Sequence, residues 1–91
     1  MSVTIIIPSP LRIHTAHRER ITVEAANVGE ALRSLCETNP EIRNHLLSED
    51  GAVRKFINVY ANDEDIRFLS GQKTGLRAND VVSIIPSIAG G

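Results

Sequence analysis

Apolar residues along the chain recur with two periods, one of two residues and one of three to four. Val3-Thr4-Ile5-Ile6-Ile7 is β-branched throughout and stops at Pro8, which cannot donate to a sheet ladder, so it predicts a first strand. Pro10 and scattered polar residues make Ser9 to His17 a loop. Arg20-Ile21-Thr22-Val23-Glu24 then alternates polar with apolar, the pattern of a half-buried second strand. Asn27 followed by Glu30 has capping-box spacing, and Val28, Ala31, Leu32 and Leu35 follow at helical intervals with Glu30, Arg33, Ser34 and Glu37 left for solvent. A helix should therefore start at Asn27 and end at Asn39-Pro40, because proline pushes its predecessor out of helical geometry.

A short second helical turn is expected from Ile42 to Leu47, then a polar break from Ser48 to Gly51. Phe56 to Ala61 alternates again, with Ile57, Val59 and Ala61 on one face of a third strand. Asn62-Asp63-Glu64-Asp65 reads as a solvated turn, Ile66 to Leu69 as a brief strand and Ser70 to Asp80 as a loop. Val81 to Ile85 is the final strand, stopped by Pro86. This order predicts an α+β domain: a mixed four- or five-stranded sheet with one main helix packed on one face and the other face open to water or a partner.

Composition narrows the function. Ninety-one residues make one domain, too small to enclose a deep substrate cleft under a lid, which disfavours a conventional enzyme. The hydrophobic fraction is 42%, but only Phe56, Phe68 and Tyr60 are aromatic, so the core must be aliphatic. Ten basic and eleven acidic residues, with no basic cluster interleaved with aromatics, argue against nucleic acid as a partner. Cys36 is the only cysteine, which excludes an internal disulfide and suits a reducing compartment. Without a leader pattern or a membrane-length apolar run, the chain is expected to be cytoplasmic and to make no use of a membrane.

No core pattern demands the residues after Pro86, Ser87-Ile88-Ala89-Gly90-Gly91. Residues 1–86 are thus expected to form the domain and 87–91 a flexible tail. Glycine at the end suits access: without Cβ the backbone can enter a narrow slot in another protein and present its carboxylate. Extended, five residues reach about 17 Å, enough for Ile88, Ala89 and Gly90 to lie in a partner's active site with the Gly91 carboxyl group at the reacting point. A carboxylate resists nucleophiles until its oxygen becomes a leaving group. Activation then falls to a separate nucleotide-using enzyme, and the chain itself needs neither catalytic residues nor a bound cofactor.

The remaining reactive residue types have plainer readings. Cys36 lies at the edge of the helix's apolar stripe, where a free cysteine packs as a small hydrophobe. His14 and His17 share a presumed loop and His45 lies elsewhere, with no acid or thiol completing a metal set. Period two sends Tyr60 and Ile85 to the open face of the sheet, with Ile6 beside them, and such a patch near a reactive tail would serve as a docking surface.

The blocks Phe56-Ile57-Asn58-Val59-Tyr60-Ala61-Asn62-Asp63-Glu64-Asp65-Ile66-Arg67-Phe68 and Asn79-Asp80-Val81-Val82-Ser83-Ile84-Ile85-Pro86-Ser87-Ile88-Ala89-Gly90-Gly91 closely resemble the MoaD/ThiS family of ubiquitin-like sulfur carriers. The resemblance covers essentially the whole chain. It implies a β-grasp fold, adenylation of Gly91 by an E1-like enzyme with ATP, and conversion of the acyl-adenylate to a thiocarboxylate by a sulfur donor. A downstream synthase would take the sulfur. It also implies docking on the activating enzyme through a hydrophobic sheet face near the tail. Asn58 to Phe68 and Pro8 to Thr15 are most similar to the CysO-type carrier of cysteine biosynthesis. A molybdopterin synthase small subunit, a tRNA-thiolation carrier, a protein modifier joined to lysines through Gly91 and a non-covalent β-grasp interaction domain are the alternatives.

Overall fold

The computed structural model describes residues 1–87, and the expectations that fall on Ile88 to Gly91 lie outside the described residues. Five strands form one sheet: β1 Ser2–Ile6, β2 Arg20–Glu24, β3 Ile57–Ala61, β4 Glu64–Asp65 and β5 Val81–Pro86. Their order is β2-β1-β5-β3-β4. β1 and β5 run parallel through Thr4↔Val81, Ile5↔Val82 and Ile6↔Ser83, and every other pairing is antiparallel. Helix α1, Val28–Thr38, crosses one face, and a shorter α2, Arg43–Leu46, follows it. This is the β-grasp arrangement expected from the sequence, with the sheet at the larger of the two strand numbers. No helix among the described residues is long and apolar enough to cross a membrane.

The core forms because the two periods meet. Alternation along β1, β3 and β5 sends Val3, Ile5, Val59, Val82 and Ile84 to the inner face, while α1 presents Val28, Ala31, Leu32, Leu35 and Cys36 to them. Burying one such aliphatic side chain contributes about 1.5–3 kcal/mol, and the interior is aliphatic as composition requires. Asn27 caps α1 from an extended conformation, its side-chain oxygen accepting from the Glu30 N–H at 2.8 Å. Glu30 reaches back to the Ala26 N–H at 2.9 Å, one residue earlier than in the standard box. Gly29 sits where a Cβ would come within 3.2 Å of the Gln72 carbonyl oxygen, so the first turn of α1 packs directly against backbone.

Several loop assignments are corrected. Ser9–Thr15 winds into a 3-10 helix rather than a loop, and Pro10 suits its first turn because the missing N–H has no partner there. This segment buries Leu11 and Thr15, the Thr15 hydroxyl reaching the carbonyls of Arg12 and Arg18, and it ends on left-handed Ala16. Pro40–Ile42 forms another such turn before α2. The brief strand lies at Glu64–Asp65 instead of 66–69, because Asp65 accepts from the Arg67 N–H and caps a 3-10 turn over Ile66–Phe68. The acidic run is therefore not a solvated turn throughout: Asn62 and Asp63 form the turn, while Asp65 is only 7% exposed.

β5 also runs through Pro86, which pairs with Ile57. Backbone N–H groups alternate in direction along a strand, and Ser87 donates to β3's side through Phe56. The proline nitrogen thus faces the flank where β1 has already ended, and no ladder bond is lost.

Leu35 is fully buried between α1 and the sheet. Leu35→Ala should lower stability by about 2–5 kcal/mol. Urea unfolding checks this through a lower midpoint at an unchanged slope.

Candidate functional site

Register fixes what lies on the sheet face away from α1. Ile6 pairs with Ser83, Ser83 with Tyr60, and Ile85 with Asn58, so all five side chains share the outer face. Ile6 and Tyr60 are half-buried and Ile85 is 46% exposed. The three apolar residues expected there are brought to one face, but Ser83 separates Ile6 from Tyr60 in the row. Toward β2 the same face turns polar, with Arg20, Thr22 and Glu24 exposed opposite Ile6, Thr4 and Ser2. The apolar part thus lies at the β5 and β3 end, where the chain leaves the sheet.

A hydrogen-bonded relay that sequence reasoning missed borders this patch. Asp65 accepts from both Nε and a terminal nitrogen of Arg67, the shorter contact being 2.7 Å. The same terminal nitrogen donates to Asn58 Oδ1 at 2.8 Å, and Asn58 Nδ2 donates to Ser87 Oγ at 2.7 Å. Ser87 also donates its backbone N–H to the Phe56 carbonyl at 2.7 Å. Phe56 itself is 49% exposed beside this point, an apolar residue the sequence had not assigned to the patch. The signal lay in the period-two spacing of Phe56, Asn58 and Tyr60 and in the Asp65-x-Arg67 spacing, which lets one guanidinium grip a carboxylate two residues back.

Electrostatics follow the relay. Hydrogen bonds from the Arg67 side chain, and then from its backbone N–H, hold the Asp65 carboxyl below its ordinary value of 3.8. The same contact pushes the Arg67 guanidinium up, so the pair is ionised across the physiological range.

The other reactive residue types lie away from this region of the sheet. Cys36 is buried on α1, where burial pushes its thiol up against a smaller opposing effect of Arg43, which leaves it protonated at neutral pH. It borders a cleft of 270 Å³ that Gly29, Arg33, Arg43 and Gln72 also line. His14 and His45, far apart in sequence, stack with ring centroids 4.3 Å apart, and a Glu41 carboxylate oxygen lies 3.6 Å from His14 Nδ1. His17 is exposed on the left-handed turn after the 3-10 helix. The outer face thus combines the apolar side chains of Ile6, Tyr60 and Ile85 with the polar side chains of Asn58 and Ser83.

Comparison with known proteins agrees with this geometry. The model of the ThiS family matches residues 5–91. The sulfur carrier protein CysO of Mycobacterium tuberculosis is 36% identical over 93 aligned positions that cover all of both chains. Small archaeal modifier protein 3 of Haloferax volcanii is 39% identical over 66 positions, covering 72% of this chain and 71% of that protein. The crystal structure of the Amycolatopsis orientalis BexX/CysO complex contains a chain that superposes with a TM-score of 0.89 at 36% identity, over 98% of this chain and 99% of that one.

A carboxyl group whose pKa is depressed on folding contributes stability that is present above its unfolded value and lost as pH falls through the folded one. At pH 7 Asp65→Asn should therefore melt below the wild type. The gap should narrow as the pH is taken below 3.8, since protonation then removes the same charge from the wild type. Thermal midpoints of both proteins between neutral and strongly acidic pH check this.

Proposed function

Because this chain belongs to the ThiS family, we propose that it is a sulfur-carrier protein, a substrate of other enzymes rather than a catalyst, and that its sulfur serves cysteine biosynthesis. The observation that carries this reading is the full-length likeness to the mycobacterial carrier, together with a family match that runs through residue 91. The working atom is the carboxyl group of Gly91. One of its oxygens attacks the α-phosphorus of ATP in an E1-like enzyme and pyrophosphate leaves, giving an acyl-adenylate. A sulfur donor then attacks the acyl carbon, AMP departs with the bridging oxygen, and the product is a thiocarboxylate. In a downstream synthase the thiocarboxylate sulfur bonds to the acceptor, and water then cleaves the acyl–sulfur bond, leaving sulfur on the acceptor and restoring the Gly91 carboxylate.

Docking falls to the outer sheet face. Ile85 is its exposed anchor, with Tyr60 and Ile6 beside it, exposed Phe56 in the turn that leads into β3 and the polar β2 flank as rim, the layout of an apolar centre bordered by charge. Ile88, Ala89 and Gly90 would thread into the partner's active site. The Amycolatopsis relative, seen in a complex with BexX, supports a carrier of this kind working in contact with another protein. An activation step that uses ATP supports a cytoplasmic location.

A second reading has an observation of its own. The likeness to an archaeal modifier protein supports conjugation, in which the Gly91 acyl group would pass to a lysine amine. Both readings share the adenylation step and part only at the nucleophile.

With ATP, an E1-like partner and a sulfur donor, the modified group should be found on a C-terminal fragment containing Gly91. Replacing oxygen by sulfur changes the mass almost as one oxidation does, and Met1 and Cys36 both oxidise, so the fragment rather than the intact mass decides. Deleting Gly91 should abolish the product and Cys36→Ser should retain it. Sulfur that follows Cys36 would overturn the reading, and an amide to a partner lysine would favour the modifier. Ile85→Glu should weaken binding to the activating enzyme by about tenfold or more while leaving the melting curve in place. Unfolding instead would mean that Ile85 faces the core.

A further inference from the structure

We propose that Arg67 and Asn58 act as a clasp on Ser87, so that the tail departs from Ser87 rather than from Pro86 and Gly91 is offered from a fixed origin. The inference rests on the carrier reading, and it makes Arg67 and Asn58 positioning residues for a reaction they do not touch.

The contacts leave the clasp little freedom. Arg67 is a donor only, so Asn58 must turn its oxygen toward the guanidinium and its amide nitrogen toward Ser87 Oγ. Arg67 cannot swing away easily, because both Asp65 oxygens hold its Nε and terminal nitrogen. Asp65 in turn is anchored in β4 opposite Tyr60 and accepts the Arg67 backbone N–H. The relay thus runs from the β4 edge across β3 to the residue that follows β5. Ser87 is held twice, through its hydroxyl and through its N–H on the Phe56 carbonyl.

The consequence is geometric. With the origin at Ser87, four residues span at most about 13–14 Å, against about 17 Å for five. A shorter arm with a set origin searches less volume for the same slot, so less orientational freedom is lost when the partner binds it. The clasp also stands beside the apolar patch, so the point where the tail departs lies next to the surface proposed to dock.

Three variants test this. Asn58→Leu removes both links and keeps a good strand former, Ser87→Ala removes only the hydroxyl, and Asn58→Asp retains an acceptor for Arg67 and can take a hydrogen bond from the Ser87 hydroxyl. Backbone 15N relaxation should give Ser87 an order parameter near that of β5 in the wild type and in Asn58→Asp. In Asn58→Leu and Ser87→Ala it should fall toward the flexible range, below about 0.6. With the activating enzyme, the latter two should raise KM for the carrier about three- to tenfold and leave kcat within about twofold, since threading the tail is part of binding. Asn58→Asp should restore KM. A Ser87 amide as mobile in the wild type as in Asn58→Leu, or a KM that does not move when Ser87 loosens, would overturn the proposal. If the wild type is never activated, the carrier reading fails, and the relaxation measurement still decides whether the clasp exists.

Discussion

The fold hangs on one pairing, the parallel contact of the first strand with the last. Thr4, Ile5 and Ile6 meet Val81, Val82 and Ser83 at the centre of the sheet, across almost the whole length of the chain. Parallel strands cannot be joined by a tight turn, so everything between them must be routed around this seam. β2 closes one flank as a neighbour of β1, α1 covers the inner face, and β3 returns to flank β5 on the other side. The same seam decides where the chain leaves the domain. A strand at the centre of the sheet ends with a neighbour to grip, and Phe56 provides it.

The two faces of the sheet follow from that seam and divide the labour. Inside, period two meets the helical period, and Val82 and Ile84 are buried in one cluster with Leu32 and Leu35. Outside, the alternate residues of the same strands are free to be something other than structural. Ser83, Ile85, Asn58 and Tyr60 occupy places where a core would have no use for a hydroxyl, an amide and a phenol side by side. Slipping β5 by one residue would exchange the two sets, burying Ser83 and exposing Val82 and Ile84. The buried core and the exposed surface are therefore written on opposite parities of one strand.

What was legible in the sequence was whatever repeats. Strands β1, β2, β3 and β5, the α1 cap at Asn27 and the outward assignment of Tyr60 and Ile85 all come from periodicity that local chemistry enforces. What was not legible depended on partners distant in the chain. Ser9–Thr15 carries no helical stripe, and it winds into a helix because Leu11 and Thr15 have an interior to enter. Asp65 looked like one acid in a turn until Arg67 and Asn58 gave its carboxylate a buried role. The stack of His14 on His45 likewise needs the fold to exist first. The expectation placed on Gly91 came from the chemistry of a terminal glycine and from the resemblance to the sulfur carriers, since periodicity says nothing of residues beyond the last strand.

The two outer strands bear on how the protein behaves in a crowd. β4 is two residues long, and β2 faces outward with Arg20, Thr22 and Glu24, the last held by the Met1 ammonium and the Ser2 hydroxyl. An unpaired strand edge is a template for another chain, and a very short edge or a charged one spoils the template. A domain that leaves Ile85 and Phe56 exposed has reason to deny its own copies a ladder to add to. The sheet can thus keep exposed apolar side chains on one face at high concentration without growing into fibres from its sides.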